Sequence, residues 1–486
     1  MQSDCMTQTP AYDYDVLIIG AGSAGLAALR AVRRHTQRFA LIDAGPGGTT
    51  CARVGCMPSK LLLEAAHAFH RRHQFEAFGL RGAAQLQADI PAVLERVRVE
   101  RDRFVAGVLQ TTADLGTRAI TGRARILDPH TVEVDAQRRL TTRSLVIATG
   151  SKPHVPDEWK ALGARLLTTD TLFEQTDLPQ RMAVLGLGPL GTEMAQALAH
   201  LGLEVTAFHG EDHLSGLADP KVNAALIQSM SSAMQLQLGQ MPQLQSFDAH
   251  AITIGAGEFS TQVDAVLAAT GRRPAIAGLG LENLGIALDE RGLPDVDPYT
   301  LQLGQLSVFW AGDVNPDRAL LHEAVDEGEI AGSNAAAEQP RAYARRTPLA
   351  ITFTEPSVAS IGMAYDPHWS DEVAIGGVDF ADQGRARAGL RNQGVLRLYA
   401  NAHDGELLGA QLCAPAGEHL AHLIAWAIAR RSTVAELLDM PFYHPVIEEG
   451  LRSALRDVQA HVHLPPDSEQ RPGPHYCRQS SLDCLD

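Results

Sequence analysis

One structural plan occurs twice along this chain of 486 residues, and it restricts the possible fold more than any other feature. In each copy a short apolar run leads into Gly-x-Gly-x-x-Gly, followed by a helical pattern and a second apolar run. Each copy later closes on a strand that ends in Ala-Thr-Gly, at residues 148–150 and 269–271. Continuous apolar runs of this length are typical of buried parallel strands. The repeat therefore predicts an α/β fold with two doubly wound nucleotide-binding modules.

The first set of glycines, Gly20, Gly22 and Gly25, suits a bound pyrophosphate. Glycines at this spacing permit a tight turn and let backbone N–H groups approach an anion at a helix N-terminus. Asp43 ends the next strand, where its carboxylate can accept hydrogen bonds from both ribose hydroxyls. These positions together predict a dinucleotide site.

The second set of glycines, Gly186, Gly188 and Gly191, predicts a second dinucleotide site. An acid at the end of the following strand favours NAD, and arginines there favour NADP. Here His209 occupies that place, and no arginine follows to pair with a 2′-phosphate. The sequence therefore favours NADH, with NADP left open.

Two cysteines, Cys51 and Cys56, lie in the segment GTTCARVGCMPSK that spans residues 48–60. Cys56 stands at a predicted helix start, where the aligned peptide dipoles favour a thiolate. Cys51 is expected one turn out, in the loop. This spacing suits a reversible disulfide, and the charge of Arg53 between the cysteines can stabilise a thiolate.

These motifs together resemble the flavin-dependent pyridine nucleotide–disulfide oxidoreductases, the family of dihydrolipoamide dehydrogenase, glutathione reductase and mercuric reductase. The resemblance covers residues 13–465 and includes Ala-Gly-Asp at 311–313 and YHPVIEE at 443–449. It implies FAD at the first glycine set, NAD(P) at the second, and a homodimer with composite active sites. It also implies a small-molecule or protein dithiol/disulfide as the substrate.

The resemblance also implies a role for each motif residue. Cys56 would lie nearer the flavin and Cys51 would be the interchange thiol. His444, oriented by Glu449, would be the acid–base for the Cys51 of the other subunit. Lys60 would reach the flavin N5 region and pair with Glu193. The further cofactor contacts implied are Thr149, Gly150 and Asp313 for FAD, and His209 and Gly271 for NAD(P).

The length of the chain predicts several domains. The resemblance implies an FAD-binding domain with its central region at 15–155 and 272–345, and an NAD(P)-binding domain at 156–271. Short β-like runs alternate with helical stretches at 346–464, which indicates an α+β domain, the dimerisation domain of the family. Residues 1–14 read as a flexible arm. Residues 465–486 read as a flexible tail with little apolar content.

Composition also argues against several classes of protein. A net charge of −16 at pH 7 disfavours nucleic-acid binding, which needs a basic face. No apolar run reaches the roughly 18 residues of a membrane span, so no membrane partner is expected. Six cysteines are too few for a secreted disulfide scaffold, and a cytoplasmic location follows as an expectation. No resident metal is predicted.

The substrate is the least determined property of the sequence. Thr49, Arg53 and Val446 replace the Gly, Asn and Thr of the dehydrogenase pattern. His444 favours a dithiol or disulfide substrate, because mercuric reductases resemble this segment with Tyr in its place. Dihydrolipoamide is the leading prediction. An alternative to a disulfide substrate is a thiophilic metal, which a mercuric-type reductase would reduce or a flavoprotein would sequester.

Two cysteines in the tail, Cys477 and Cys484, leave a second alternative open. They can relay electrons from the buried disulfide to another disulfide substrate, or they can be incidental thiols. A third possibility is a metal site formed by His475 with the two cysteines, which is weakly organised on a flexible tail.

Overall fold

The computed structural model describes residues 12–463, which divide into two compact units. One unit comprises residues 12–65, 88–180 and 264–345, and the other comprises 66–87, 181–263 and 346–463. The domain boundaries predicted above stay predictions, because compact units do not define cofactor domains. Most of the predicted arm and the whole predicted tail, with His475, Cys477 and Cys484, lie outside the described residues.

The regular elements follow one another in chain order. The α-helices are α1 (Ser23–Val32), α2 (Thr50–Arg53), α3 (Cys56–His70), α4 (Ile90–Ala113), α5 (Thr169–Leu172), α6 (Pro189–His200), α7 (Pro220–Ser231), α8 (Leu321–Ala336), α9 (Gly384–Ala388), α10 (Gly417–Ala429), α11 (Val434–Leu438) and α12 (Glu449–Gln459). The strands are β1 (Tyr14–Ile19), β2 (Phe39–Asp43), β3 (Ala119–Thr121), β4 (Ala124–Asp128), β5 (Thr131–Val134), β6 (Arg138–Ile147), β7 (Ser151–Pro153), β8 (Leu166–Leu167), β9 (Arg181–Leu185), β10 (Glu204–Phe208), β11 (Gln235–Gln237), β12 (Gln243–Phe247), β13 (Ile252–Ala256), β14 (Phe259–Val263), β15 (Ala265–Ala268), β16 (Arg272–Pro274), β17 (Val308–Trp310), β18 (Leu349–Thr352), β19 (Ser357–Gly362), β20 (Val373–Asp379), β21 (Val395–Asn401) and β22 (Leu407–Ala414).

A parallel sheet forms the centre of the first unit. Its strands follow the order β3-β2-β1-β6-β17, and each neighbouring pair is parallel. The first half of β6 also pairs antiparallel with β5. Val16, Leu17 and Ile18 of β1 have no solvent exposure, because α1 and α8 cover one face of this strand and β4 and β5 cover the other. This burial explains the continuous apolar run, and the strand order is that of a doubly wound module.

Helices α1 and α8 pack closely in the first unit because both carry small residues at their contact. A Cβ atom at Gly328 would lie 2.2 Å from the carbonyl oxygen of Ala24, and one at Gly332 would lie 2.5 Å from that of Ala28. Only glycine permits an approach of this kind. The middle and the C-terminal half of α8 are thereby held against the helix that follows the first glycine set.

The second unit contains a parallel module and an α+β region. Strands β11-β10-β9 are parallel and lie beside α6 and α7, as the second glycine pattern predicts. The antiparallel sheet β18-β19-β22-β21-β20 follows, and α10 and α12 pack on it. The predicted α/β class with a C-terminal α+β domain is confirmed.

Local structure differs from expectation in the cysteine segment. Cys51 lies in the short helix α2 and not in a loop, because the Thr49 side chain accepts a hydrogen bond from the Ala52 amide and caps the helix. Helix α10 packs on its sheet through Leu420, Ala421 and Ile424, while Trp426 on its other side is 64% exposed. Within residues 12–463, no helix combines the length and apolar character needed to cross a membrane.

Candidate active site and cofactor sites

The first glycine turn joins β1 to α1 and leaves room for a ligand. Gly20 has φ +106°, and a Cβ there would lie 2.2 Å from the Ala148 carbonyl oxygen. A Cβ at Gly25 would lie 1.8 Å from the carbonyl oxygen of Gly20, whereas one at Gly22 would meet no described atom within 4 Å. Asp43 Oδ1 accepts a hydrogen bond from the Ala21 amide at 3.3 Å, which places the carboxylate beside the turn. This cradle fits a pyrophosphate and ribose.

The predicted flavin contacts at the end of β6 also fit a ligand. The hydroxyl oxygen of Thr149 is buried and has no hydrogen-bond partner within the described part of the chain. A buried polar group left unpaired costs about 1–3 kcal/mol, which a bound ligand can offset. Gly150 has φ +70°, and a Cβ there would meet open space.

Asp313 follows β17 and lies on a short polar network in the first unit. The Ser151 hydroxyl donates to Asp313 Oδ2 at 3.4 Å, and Arg272 donates to the same hydroxyl and to the Ser151 carbonyl, both at 2.8 Å. Glu327 accepts a hydrogen bond from the Gly312 amide at 2.8 Å. Sequence reasoning missed Ser151, Arg272 and Glu327, since no local motif marks residues that act through distant contacts.

The second glycine turn joins β9 to α6. Gly186 has φ +88°, a Cβ at Gly188 would meet no described atom within 4 Å, and Gly191 is buried in the first turn of α6. The opening at Gly188 fits an anion at the start of α6. In the first unit, Gly271 has φ +100° and open space where a Cβ would lie.

His209 follows β10 and hydrogen-bonds the glycine turn itself. Its Nδ1 accepts from the Leu187 amide at 3.2 Å, so this nitrogen is engaged by the protein. Its Nε2 lies 3.7 Å from Glu211 Oε2, and His213 Nε2 lies 3.1 Å from the same oxygen. Burial lowers the pKa of His209, which favours a neutral ring. At the position predicted for the NAD(P) ribose, the protein thus has His209 with the Glu211 carboxylate beside it.

Cys51 and Cys56 are half-buried at the junction of α2 and α3, and the structure has them as two thiols without a disulfide bond. A hydrogen bond with Cys56, together with burial, raises the pKa of the Cys51 thiol. Cys56 is the first residue of α3, where the helix dipole favours a negative charge. Of the two sulfurs, Cys56 is therefore the better placed to exist as a thiolate.

Lys60 belongs to the first unit and Glu193 to the second. Lys60 is on α3, one turn after Cys56, with Nζ 3.5 Å from the Ser59 hydroxyl. Glu193 is buried on α6, and its Oε1 accepts from the Phe353 amide at 2.9 Å. Their pairing stays a prediction.

His444 and Glu449 form a contact at the start of α12. Nδ1 of His444 lies 3.0 Å and 3.1 Å from the two carboxylate oxygens, and the Val446 amide donates to one of them at 3.3 Å. The hydrogen bond with His444 lowers the pKa of Glu449, so the carboxylate is ionised at neutral pH. An ionised partner favours the tautomer with its proton on Nδ1, which leaves Nε2 able to accept a proton. The His444 side chain is 79% exposed.

Comparison with known proteins assigns the family. Residues 14–328 match the model described as pyridine nucleotide-disulphide oxidoreductase, and residues 349–455 match the dimerisation domain of the same family. The chain belongs to the pyridine nucleotide-disulphide oxidoreductase family. Members use FAD and NAD(P), so the two predicted cofactors are confirmed and the chain is an oxidoreductase. The dimerisation domain supports a homodimer.

Individual relatives of this oxidoreductase have different activities. A dihydrolipoyl dehydrogenase from Geobacillus stearothermophilus is 30% identical over 90% of this chain and 95% of its own length. A mercuric reductase from Staphylococcus aureus is 28% identical over 91% of this chain and 82% of its own length. The Cu(II) complex of the HOCl-induced flavoprotein disulfide reductase RclA from Escherichia coli has a TM-score of 0.80 at 22% identity, covering 92% and 99% of the two chains. This structural likeness shows the fold.

The part of the chain that the structure describes comprises residues 12–463. No three His, Cys, Asp or Glu side chains in that range are arranged to hold a metal ion. The possible ligand set of His475, Cys477 and Cys484 lies outside the described residues.

Proposed function

We propose that this flavoprotein disulfide oxidoreductase exchanges electrons between NAD(H) and an external dithiol/disulfide, with dihydrolipoamide as the substrate. The observation that carries this proposal is the contact of His444 with Glu449, at 3.0 Å. A histidine with one nitrogen bound to a carboxylate is an effective acid–base at neutral pH. Thiol–disulfide exchange needs such a group, because the thiolate is the attacking species.

The cysteine pair would react in two exchange steps. A dihydrolipoamide thiolate attacks Cys51 of the Cys51–Cys56 disulfide, which breaks the S–S bond and releases Cys56 as a thiolate. The second substrate thiolate then attacks the substrate sulfur of the mixed disulfide, forming lipoamide and releasing Cys51. Two electrons pass to the cysteine pair. A bound FAD supplies the two-electron chemistry that transfers them to NAD⁺.

The protons released by the substrate thiols need an acceptor near Cys51. We assign this role to His444 of the partner subunit, with Nε2 as the accepting nitrogen. Glu449 stabilises the imidazolium that results. Cys56, at the N-terminus of α3, leaves readily because the helix dipole stabilises its thiolate.

The similarity to mercuric reductases supports a second candidate, the reduction of a thiophilic metal ion. In that case the cysteine pair would bind the metal, and His444 would have no acid–base task. Loss of the imidazole would then leave metal reduction unchanged.

A steady-state substrate panel tests the proposal. It compares dihydrolipoamide with NAD⁺ and NADP⁺, lipoamide and glutathione disulfide with NADH and NADPH, and Hg²⁺ with both reduced nucleotides. We expect dihydrolipoamide with NAD⁺ to give the highest kcat/KM, by at least tenfold. A higher value for Hg²⁺ would favour the second candidate, and a higher value for another disulfide would replace lipoamide as the substrate.

A further inference from the structure

The turn at Gly312–Asp313 is held by a buried carboxylate on α8. Oε2 of Glu327 accepts from the Gly312 amide at 2.8 Å, and Oε1 accepts from the Asn315 side-chain amide at 3.2 Å. Glu327 is 1% exposed. Two donors from the same turn thus converge on the two oxygens of one carboxylate, which restricts both the position and the orientation of the turn.

The turn has little freedom to move towards the first glycine set. Gly312 has φ +79°, and a Cβ there would lie 2.6 Å from the Cβ of Ala24 on α1. Ala24 lies between Gly22 and Gly25 of the pyrophosphate turn. On its other side, Asp313 accepts the hydrogen bond from Ser151. Helix α1 limits movement of the turn in one direction, and the hydrogen bond with Glu327 restricts its position further.

An arginine shared by two acids compensates the buried charge. Arg345 Nη1 lies 2.8 Å from Glu327 Oε1, and Nη2 lies 2.9 Å from Glu323 Oε2. Burial raises the pKa of Glu327, and the Gly312 amide and Arg345 oppose that rise. Glu323 is 3% exposed and also pairs with Arg318 at 3.2 Å. The two glutamates therefore match in burial and share a partner, but only Glu327 contacts the turn.

We propose that Glu327 is a positioning residue for FAD, acting through the Gly312–Asp313 turn. This inference rests on the proposed role of Asp313 as a flavin contact. A rigid turn presents the Asp313 carboxylate and the neighbouring backbone in one arrangement before FAD binds, so less ordering entropy is lost on binding. Without the carboxylate the turn loses two hydrogen-bond acceptors, and Asp313 would sample several orientations.

The test compares matched pairs of variants at the two glutamates. Glu327→Gln and Glu327→Ala are purified beside Glu323→Gln and Glu323→Ala, FAD is removed, and the dissociation constant for added FAD is measured by flavin fluorescence. Apoprotein melting temperature and the visible circular dichroism of bound FAD are recorded for each. We expect Glu327→Ala to weaken FAD binding at least tenfold, which corresponds to about 1.4 kcal/mol. The FAD affinity of Glu327→Gln should lie between those of wild type and Glu327→Ala, because the amide oxygen of glutamine can still accept a hydrogen bond from the Gly312 amide.

The Glu323 variants should lose a similar amount of thermal stability and keep FAD affinity within about twofold of wild type. Equal loss of FAD affinity in the two pairs would show that the ion-pair cluster acts only on stability, and would overturn the inference. If Glu327→Ala fails to fold, the two Gln variants decide, and equal dissociation constants again overturn it. Asp313→Ala tests the assumption that Asp313 contacts the flavin, and unchanged FAD affinity in this variant would reject it. Wild-type protein that binds no FAD would instead reject the proposed function.

Discussion

Nδ1 of His444 lies 3.0 Å from Oε1 of Glu449, and both residues belong to the segment that begins α12. The adjacent acid, Glu448, is the N-cap residue of α12, and no hydrogen bond to His444 is seen for it within residues 12–463. The backbone turn before α12 therefore selects one of two neighbouring glutamates as the partner of the imidazole. The spacing in the family resemblance implies Glu449 rather than Glu448, and the observed contact is with Glu449.

Replacing either member of this pair should slow dithiol turnover selectively. His444→Gln removes the proton acceptor, and loss of general acid–base catalysis typically costs about 10²- to 10⁴-fold in kcat. Glu449→Gln should give a smaller loss, since the imidazole remains but loses its charged partner. Dihydrolipoamide oxidation is measured beside NADH-dependent quinone reduction, which needs no thiol proton and should be spared. Glu448→Gln is the matched control, and an equal loss of both activities in His444→Gln would reject the acid–base role.

The two cysteines should differ in their spectroscopic effect. In the two-electron-reduced protein, Cys51→Ser should keep long-wavelength charge-transfer absorbance, because Cys56 at the start of α3 remains a thiolate. Cys56→Ser should abolish it. Visible absorbance after stoichiometric reduction is the measurement. Cys413→Ser is the control: burial raises the pKa of that thiol to about 12, so the variant should leave the spectrum unchanged. Absorbance that persists in Cys56→Ser would reassign the two sulfurs.

Glu211 should disfavour NADPH. Its carboxylate lies 3.7 Å from His209 Nε2, so a 2′-phosphate near His209 would meet an anion. Glu211→Arg reverses the charge and offers a phosphate partner, and should raise the ratio of kcat/KM for NADPH over NADH at least tenfold. Glu204→Arg makes the same charge change at the other end of β10 and should leave the ratio within about twofold. An equal rise of this kcat/KM ratio in both variants would indicate a general effect of charge and would reject a specific role for Glu211.

A cluster of histidines should make the stability of the second unit depend on pH. The rings of His70 and His200 stack with centroids 3.6 Å apart, and His67 and His73 adjoin them. Burial lowers the pKa of His200 to about 2, and burial with the charges of His73, Arg72 and His67 lowers that of His70 to about 4.

Below pH 6.5 these imidazole rings bind protons in the unfolded chain but stay neutral in the folded protein. The free energy of unfolding therefore falls as the pH drops below 6.5. His200 alone should cost about 2 kcal/mol between pH 7 and pH 5. His200→Phe should reduce the acid shift of the urea midpoint, and exposed His403→Phe should not. A shift as large in His200→Phe as in wild type would contradict the assignment.

Helix α10 should contribute to the homodimer. Trp426 is 64% exposed and Leu423 is 40% exposed on this helix of the dimerisation domain. A charge placed there should oppose burial of an apolar interface, so Trp426→Glu should shift the protein towards monomer in light scattering and lower dithiol turnover. Met241→Glu alters an equally exposed apolar residue outside the dimerisation domain and should remain dimeric. A fully dimeric Trp426→Glu would place the interface elsewhere.

Much of the fold follows from local sequence patterns. The strand that ends on Asp43 is one example, since Phe39–Ile42 is a continuous apolar run that the structure buries. A parallel strand covered on both faces is apolar at nearly every position, which makes such strands easy to recognise. Helix α2 was missed although its N-cap, Thr49, is a local signal, because four residues are too short for a periodic pattern.

The sequence by itself determined the family, the two cofactor modules and the segments that contain Cys51, Cys56 and His444, because these depend on residue type at short spacing. The tertiary structure decided that His209 accepts a hydrogen bond from the Leu187 amide and that Glu327 contacts the Gly312 turn. A buried carboxylate such as Glu327 has no local pattern, since the groups that stabilise its charge meet it only when the chain folds.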